Sequence, residues 1–304
     1  MPRTIKITAT SLLVLALETV SGFIKVPGTI LPRSPLQNRL AFTSAESSNT
    51  ANENIDTSNN ELHLLTFDLD DTIFPIDPVI RDANSVMIQT LHSLGFHGAC
   101  NNEIISASKR IRQELKMAGD AVTYTELRKR SIRREIERLA SATAHSVDTA
   151  INADDALINT VFDSWLSERH NSANRNLFPD AASSLKCIRD MYPSVIIGAI
   201  TNGRGNPFYM PSIAQYFDFC VSGEDEDVFP SRKPDRGIYE AALNRYSEFT
   251  ELSQNAVNNN DWNWIHVGDD LANDVGASAA CGAKTIWFTG ANWNEWILVH
   301  GYTG

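Results

Sequence analysis

Between residues 62 and 290, short wholly apolar runs alternate with longer segments whose apolar positions recur every three or four residues. Leu64 to Phe67 is the first run, and it reads as a buried strand that stops abruptly at Asp68. Val79, Ile80, Ala83, Val86, Met87, Leu91 and Leu94 follow at helical spacing, ended by Gly95. Basic helices are predicted over 103–117 and 124–140, and Leu157, Ile158, Val161, Phe162, Trp165 and Leu166 form an apolar stripe. No strand-like run interrupts these segments, so they read as an all-helical insertion, with Met87 and Met117 on its core stripes. Strand and helix then alternate: a helix through Leu185 and Ile188 to Met191, strands at 195–200 and 217–221, and a helix holding Ile238 to Tyr246. That helix is predicted to start with Pro234 in its first turn. A strand at 264–267, a helix at 277–280 and a last strand at 284–288 complete an α/β pattern, a parallel sheet covered on both faces.

The polar segments change this picture at the N-terminus. Arg3 and Lys6 precede an apolar core from Leu12 to Leu17 that is too short to span a bilayer. Thr19 to Ala45 contains no acid but holds Lys25, Arg33 and Arg39, as a transit peptide would. A signal segment followed by a transit segment, with Phe23 at the junction, is similar to the bipartite presequence of algae with complex plastids. Secretion and mitochondrial import are the alternatives. Residues 43–62 have too little apolar surface to fold and read as a linker. The expected organisation is a presequence and linker at 1–60, a core at 61–78 with 174–304, and a helical insertion at 79–173. An Asn-rich stretch at 255–263 is expected to be a surface loop.

The formal net charge of −11 excludes a general nucleic-acid binder, and no membrane span is expected in the mature protein. Residues 105–140 depart from it with ten Lys/Arg and five acids. A solvated helix face is one reading. Steering of anionic substrates is the other, with Arg133 and Arg134 as the residues to test. Cys100, Cys187, Cys220 and Cys281 have no ligand or disulfide spacing and are expected to be buried free thiols.

Ligands of an open parallel sheet bind beyond the carboxyl ends of its strands. Asp68 and Asp70 follow the first strand, Thr201 and Asn202 the second, and Asp269, Asp270 and Asp274 the strand at 264–267, while Lys233 precedes a helix. So many carboxylates in one crevice repel one another unless a divalent cation and a bound anion compensate them. Oxygen-only donors suit Mg²⁺. Strand alternation turns Asp71 away from Asp70, so Asp71, like Asp270, reads as a turn or capping residue. His266 reads as a hydrogen-bonded core histidine, and Trp165, Trp262 and Trp264 as packing.

Asp68-Leu69-Asp70-Asp71-Thr72, Ile200-Thr201-Asn202, Lys233-Pro234 and Gly268-Asp269-Asp270-Leu271-Ala272-Asn273-Asp274 resemble, in order, the four motifs of the haloacid dehalogenase superfamily. The resemblance implies a Rossmann-like core bearing an inserted all-α cap of the C1 type, and a Mg²⁺-dependent reaction. It casts Asp68 as nucleophile and Asp70 as general acid and base. Thr201, Asn202 and Lys233 would hold phosphate. Asp68, the Asp70 carbonyl and Asp269 would hold metal, with Asp274 orienting Lys233 or a bound water. Dehalogenases of the superfamily lack an acid at the position of Asp70, so phosphoryl transfer from a small phosphomonoester is expected. Residues beside the motifs, Pro78-Val79-Ile80, Ala199 to Gly203 and Ile265-His266-Val267, are similar to those of bacterial flavin-pathway phosphatases of this superfamily. Those act on the phosphorylated ribitylaminouracil intermediate of riboflavin synthesis and on FMN. A phosphotransferase and a non-catalytic scaffold are the competing expectations.

Overall fold

The computed structural model describes residues 62–143, 153–250, 263–289 and 296–299. The presequence, the linker up to residue 61, all but Asn263 of the Asn-rich stretch, and Trp262 lie outside them, while Leu62, expected at the end of the linker, is buried in the core. At the centre is β1 (Leu64–Phe67), whose four residues are all buried. It is flanked in parallel by β2 (Ile196–Thr201) and β4 (Trp264–Gly268), with β3 (Phe219–Ser222) beyond β2 and β5 (Lys284–Phe288) beyond β4. A sixth strand, β6 (Trp296–Val299), pairs antiparallel with β5, so β5 is not the last strand. The sheet order is β3-β2-β1-β4-β5-β6.

Alternation along β1 sorts two cores. Leu65 and Phe67 join Leu185 and Ile188 of α5 (Ala181–Met191) on one face of the sheet. Leu64 joins Ile238, Tyr239, Ala242 and Tyr246 of α6 (Arg236–Thr250) on the other. Fully burying each such side chain contributes about 1.5–3 kcal/mol, which is why a strand of four residues can anchor the sheet. Helix α6 starts at Arg236, two residues past Pro234, because the Asp235 carboxylate accepts from the Gly237 N–H at 2.7 Å and caps it. Pro234 therefore lies in the preceding turn. The short α7 (Ala277–Ala280) leads into β5.

Four helices follow β1 without an intervening strand: α1 (Ile76–Ser93), α2 (Asn101–Ala118), α3 (Tyr124–Thr143) and α4 (Asp155–Arg175). They pack on a third apolar cluster that includes Met87, Ile104, Ile136, Val161 and Phe162. Met117 is 75 % exposed and not in it. The buried positions of α2 are Ile104, Ala107 and Ile111, and Met117 lies about 120° round the helical wheel from Ile111, off that face. The cysteines are free, but Cys100 is exposed and the others half-buried. No helix among the described residues is long and apolar enough to cross a membrane.

Candidate active site

Register brings the motif residues together. Phe67 pairs with Ala199 of β2 and Val267 of β4, so the three strands run out side by side. Asp68, Thr201 and Asp269 follow within two residues of those partners, and the Asp68 N–H still bonds the Val267 carbonyl at 2.9 Å. Carboxylate oxygens of Asp68, Asp269 and Asp274 all lie within 4.8 Å of one another. Gly268 makes room for the third of these. A Cβ there would lie 2.3 Å from the Asp274 side chain, so Asp274 can fold back under the end of β4.

Lys233 is buried between two of these acids. Its ammonium donates to Asp68 and, at 2.7 Å, to Asp274 Oδ1. Asn202 fixes the lysine's backbone from both sides: its Oδ1 accepts from the Lys233 N–H at 2.7 Å and its Nδ2 donates to the Lys233 carbonyl at 3.1 Å. Thr201 is buried, and its hydroxyl oxygen accepts from the Gly203 N–H at 3.3 Å. Its own proton is left to donate to a ligand.

Burial raises Asp68 well above the ordinary carboxylate range, Lys233 opposes it, and Asp274 and Asp70 add to it. Burial, with Asp274 and Asp71 nearby, pushes Asp269 up to about 6. Asp274 goes the other way. Burial would raise it, but the Lys233 charge and His266 outweigh that and lower it. Lys233 is raised likewise: burial disfavours its charge, and Asp68 and Asp274 more than offset that.

A row of buried groups backs Asp274. Trp264 Nε1 donates to Thr66 Oγ1 at 2.8 Å, and that oxygen lies 2.8 Å from His266 Nδ1. Burial lowers the His266 pKa and keeps the ring neutral. With Nδ1 accepting, the proton sits on Nε2, 3.4 Å from Asp274 Oδ1. Asp270 caps the turn of π-helix at Leu271–Gly276, its Oδ1 accepting from Ala272 and Asn273 at 2.8 Å each. Asp71 stands at φ 62° and accepts from the Ile76 N–H at 2.9 Å, which caps α1.

A family model of haloacid dehalogenase-like hydrolases matches residues 62–282. The chain belongs to that family. It is 26 % identical over 244 residues to the 5-amino-6-(5-phospho-D-ribitylamino)uracil phosphatase YigB of Escherichia coli K12, covering 78 % of this chain and 90 % of that one. Among solved structures, a 2-haloacid dehalogenase from Pseudomonas syringae matches with a TM-score of 0.56 and 24 % identity, over 77 % of this chain and 90 % of its own. That likeness speaks for the fold alone.

In this hydrolase the structure gathers Asp68, Asp269, Asp274, Lys233, Thr201 and Asn202 at the strand ends. Asp274 sits within the carboxylate group as well as on Lys233. The Asp70 side chain is directed elsewhere, to Arg169 of α4, whose Nη2 lies 2.8 and 3.1 Å from its two oxygens. Sequence reasoning missed Arg169. The available signal was its position four residues after Trp165, on the same buried stripe of α4.

Above Asp70 and Asn202 lies a cavity of about 610 Å³ between the helical layer and the strand ends. Its lining cations are Lys109, Arg112, Arg128, Arg169 and Arg204, and Asp70 is its one carboxylate. Arg133 and Arg134 are not among them. They pair with Asp155 at 2.5 Å and Glu114 at 2.6 Å.

Proposed function

We propose that this hydrolase is a Mg²⁺-dependent phosphatase that cleaves a small organic phosphomonoester through an aspartyl-phosphate on Asp68. The observation that carries the reading is the Asp68, Asp269 and Asp274 group with Lys233 paired to the first and third, and Asp70 two residues past Asp68. The donors are all oxygen and lie within 4.8 Å of one another. An ion with ligands at about 2.1 Å holds oxygens up to roughly 4.2 Å apart, so the group fits Mg²⁺ after small shifts. Asp68 and Asp269 would hold it, with the Asp70 carbonyl, and Asp274 is close enough to contribute. When bound, Mg²⁺ would offset repulsion between the Asp68 carboxylate and a phosphate dianion.

The chain's own residues then divide the reaction. Asp68 attacks phosphorus and the ester oxygen leaves. Asp70 gives that oxygen its proton, and later takes one from the water that cleaves the acyl phosphate. Lys233 and the Thr201 hydroxyl donate to phosphoryl oxygens as charge builds on them. Asn202 serves by fixing Lys233. The likeness to YigB supports 5-amino-6-(5-phosphoribitylamino)uracil as the first substrate to test, and the resemblance of the residues beside the motifs to flavin-pathway phosphatases adds FMN.

Phosphate release from these compounds and from p-nitrophenyl phosphate is expected to need Mg²⁺, to stop in excess chelator, and to fall on the order of a thousandfold or more in Asp68→Asn. Equal residual turnover in wild type and Asp68→Asn would overturn the reading in favour of a scaffold. Transfer of phosphate to an added alcohol in place of water would redirect it to a phosphotransferase. We further propose that residues 79–173 act as a cap over the site. Residues 1–60 would deliver the chain to a plastid, which a fluorescent fusion of that segment would test.

A further inference from the structure

The cavity wall contributed by α2 and α3 has an electrostatic imbalance. Among the described residues, Lys109, Arg112 and Arg128 make no ion pair, although all three line a half-open cavity whose one carboxylate, Asp70, is already held by Arg169. Arg128 is the most constrained of them. Its guanidinium lies 3.8 Å over the Trp165 ring, and its Nη1 donates to Asn84 Oδ1 at 3.1 Å. Trp165 Nε1 donates to the same oxygen at 3.0 Å. Two donors on that oxygen fix the orientation of the Asn84 amide, so its NH₂ is a further donor on the cavity wall. Phe162 stacks on Trp165 at 5.9 Å, so the tryptophan is packed by a neighbouring ring as well as by the arginine. Burial and the charge of Arg169 lower Arg128 to about 10. Arg169 Nη1 is itself buried without a hydrogen-bond partner.

We propose that Arg128, with Asn84 behind it, is the residue that reads the leaving group, taking the carbonyl or carboxylate oxygens of a planar group. The proposal uses the phosphomonoester reading only to place the phosphate at Asp68. A flat group with in-plane acceptors matches the planar donors that Arg128 has left beside its bond to Asn84, and a carboxylate among them also supplies the negative partner that these cations lack. A leaving group bearing only hydroxyls satisfies the fork less well, because a hydroxyl is a weaker and non-planar acceptor. A purely aliphatic one leaves the donors unmet at a cost.

Three probes separate the sources of such oxygens: UMP offers ring carbonyls, 3-phosphoglycerate a carboxylate, and glycerol 1-phosphate hydroxyls alone. Arg128→Met keeps the unbranched stem over Trp165 and removes every donor. The ratio of kcat/KM for UMP or for 3-phosphoglycerate over glycerol 1-phosphate is expected to fall about tenfold or more. The loss should sit in KM. Arg128→Lys keeps the charge without the fork and should lie between. Arg130→Met, which removes an equal charge that faces Glu126 and solvent on the same helix, should leave both ratios within about twofold.

Equilibrium binding of the same probes, with Mg²⁺ in an Asp68→Asn background, repeats the comparison without turnover. A selective loss there in Arg128→Met upholds the subsite even if wild type releases no phosphate, in which case only the reaction reading fails. A loss confined to UMP names ring carbonyls, and one confined to 3-phosphoglycerate a carboxylate. Equal loss for all three probes, or none, overturns the assignment of Arg128.

Discussion

Arg169 reaches from α4 to place one guanidinium nitrogen on both oxygens of Asp70, and is itself only 2 % exposed. The consequence is positional: the carboxylate proposed to move the proton is aimed by a residue 99 positions away. Removing one partner of a buried ion pair is destabilising where it leaves the other charge buried and uncompensated, and costs little only where water can solvate what remains. Asp70 is half-buried and water can take over part of the role of the arginine. Arg169→Met is therefore expected to lower kcat by about 10–100-fold with KM nearly unchanged, while Tm changes little. A parallel loss of Tm and activity would mean that Arg169 is structural. At this scale the motif aspartates were legible because each lies within a few residues of an apolar run, and strand ends converge. Arg169 was not, because one arginine on a helical stripe looks like any surface charge until the stripe is known to be buried.

The elements are held to one another by a second carboxylate that no motif names. Glu224, just past β3, accepts from the backbone N–H groups of Tyr124 and Thr125 and from the Thr125 hydroxyl. Thr123 Oγ1 takes the next N–H, that of Glu126, at 3.0 Å. The first turn of α3 is thus capped largely from the core, where a negative charge also meets the positive end of the helix. Arg232, next to Lys233, completes the clasp: it bonds the Val122 carbonyl at 3.1 Å and lies 4.0 Å over the Tyr124 ring. Glu224→Ala removes those three acceptor contacts and the one from Arg232 at 3.3 Å, and leaves part-buried donors unmet, at a cost of about 2 kcal/mol. Hydrogen exchange should rise at residues 119–127 far more than in β1 or β4. Exchange rising evenly over the chain would show that Glu224 does not clasp the helix. The helices themselves were legible, since apolar stripes repeat every three or four residues. Their ends were less so. Asp71 extends α1 back to Ile76, and Asp235 delays α6 to Arg236, both through side-chain bonds that hydrophobic spacing does not report. The clasp was illegible for the same reason, being a contact between residues 99 and 100 positions apart.

Across the whole molecule, the formal charge of −11 averages over a cationic cavity and a separate carboxylate group at the strand ends. The α/β layering was legible because it follows from alternation, but the sign of the charge at one spot depends on which side chains the fold brings inward. That concentration of acids predicts how stability varies with pH. Without metal, burial raises Asp68 and brings Asp269 to about 6, against an ordinary value of 3.8. The folded state then holds protons that the unfolded chain has released, so stability falls as pH rises from about 4 to about 6. Asp274 has the opposite sign: its lowered pKa contributes stability above the ordinary 3.8 that is lost below it. Lys233, with its raised pKa, keeps its contribution until the solution is strongly alkaline. Mg²⁺ binds the deprotonated group and should cancel the fall between pH 4 and 6. At a hundred times its Kd, a ligand adds about 2.7 kcal/mol, which is several degrees in Tm for a domain of this size. The rise in Tm on adding saturating Mg²⁺ is therefore expected to be small at pH 4.5 and several degrees at pH 7. Asp269→Asn should shrink the pH 7 rise, because it removes one of the charges that the ion neutralises. An equal rise at both pH values, or one that survives in Asp269→Asn, would show that the ion binds elsewhere and that these acids tolerate one another by Lys233 alone.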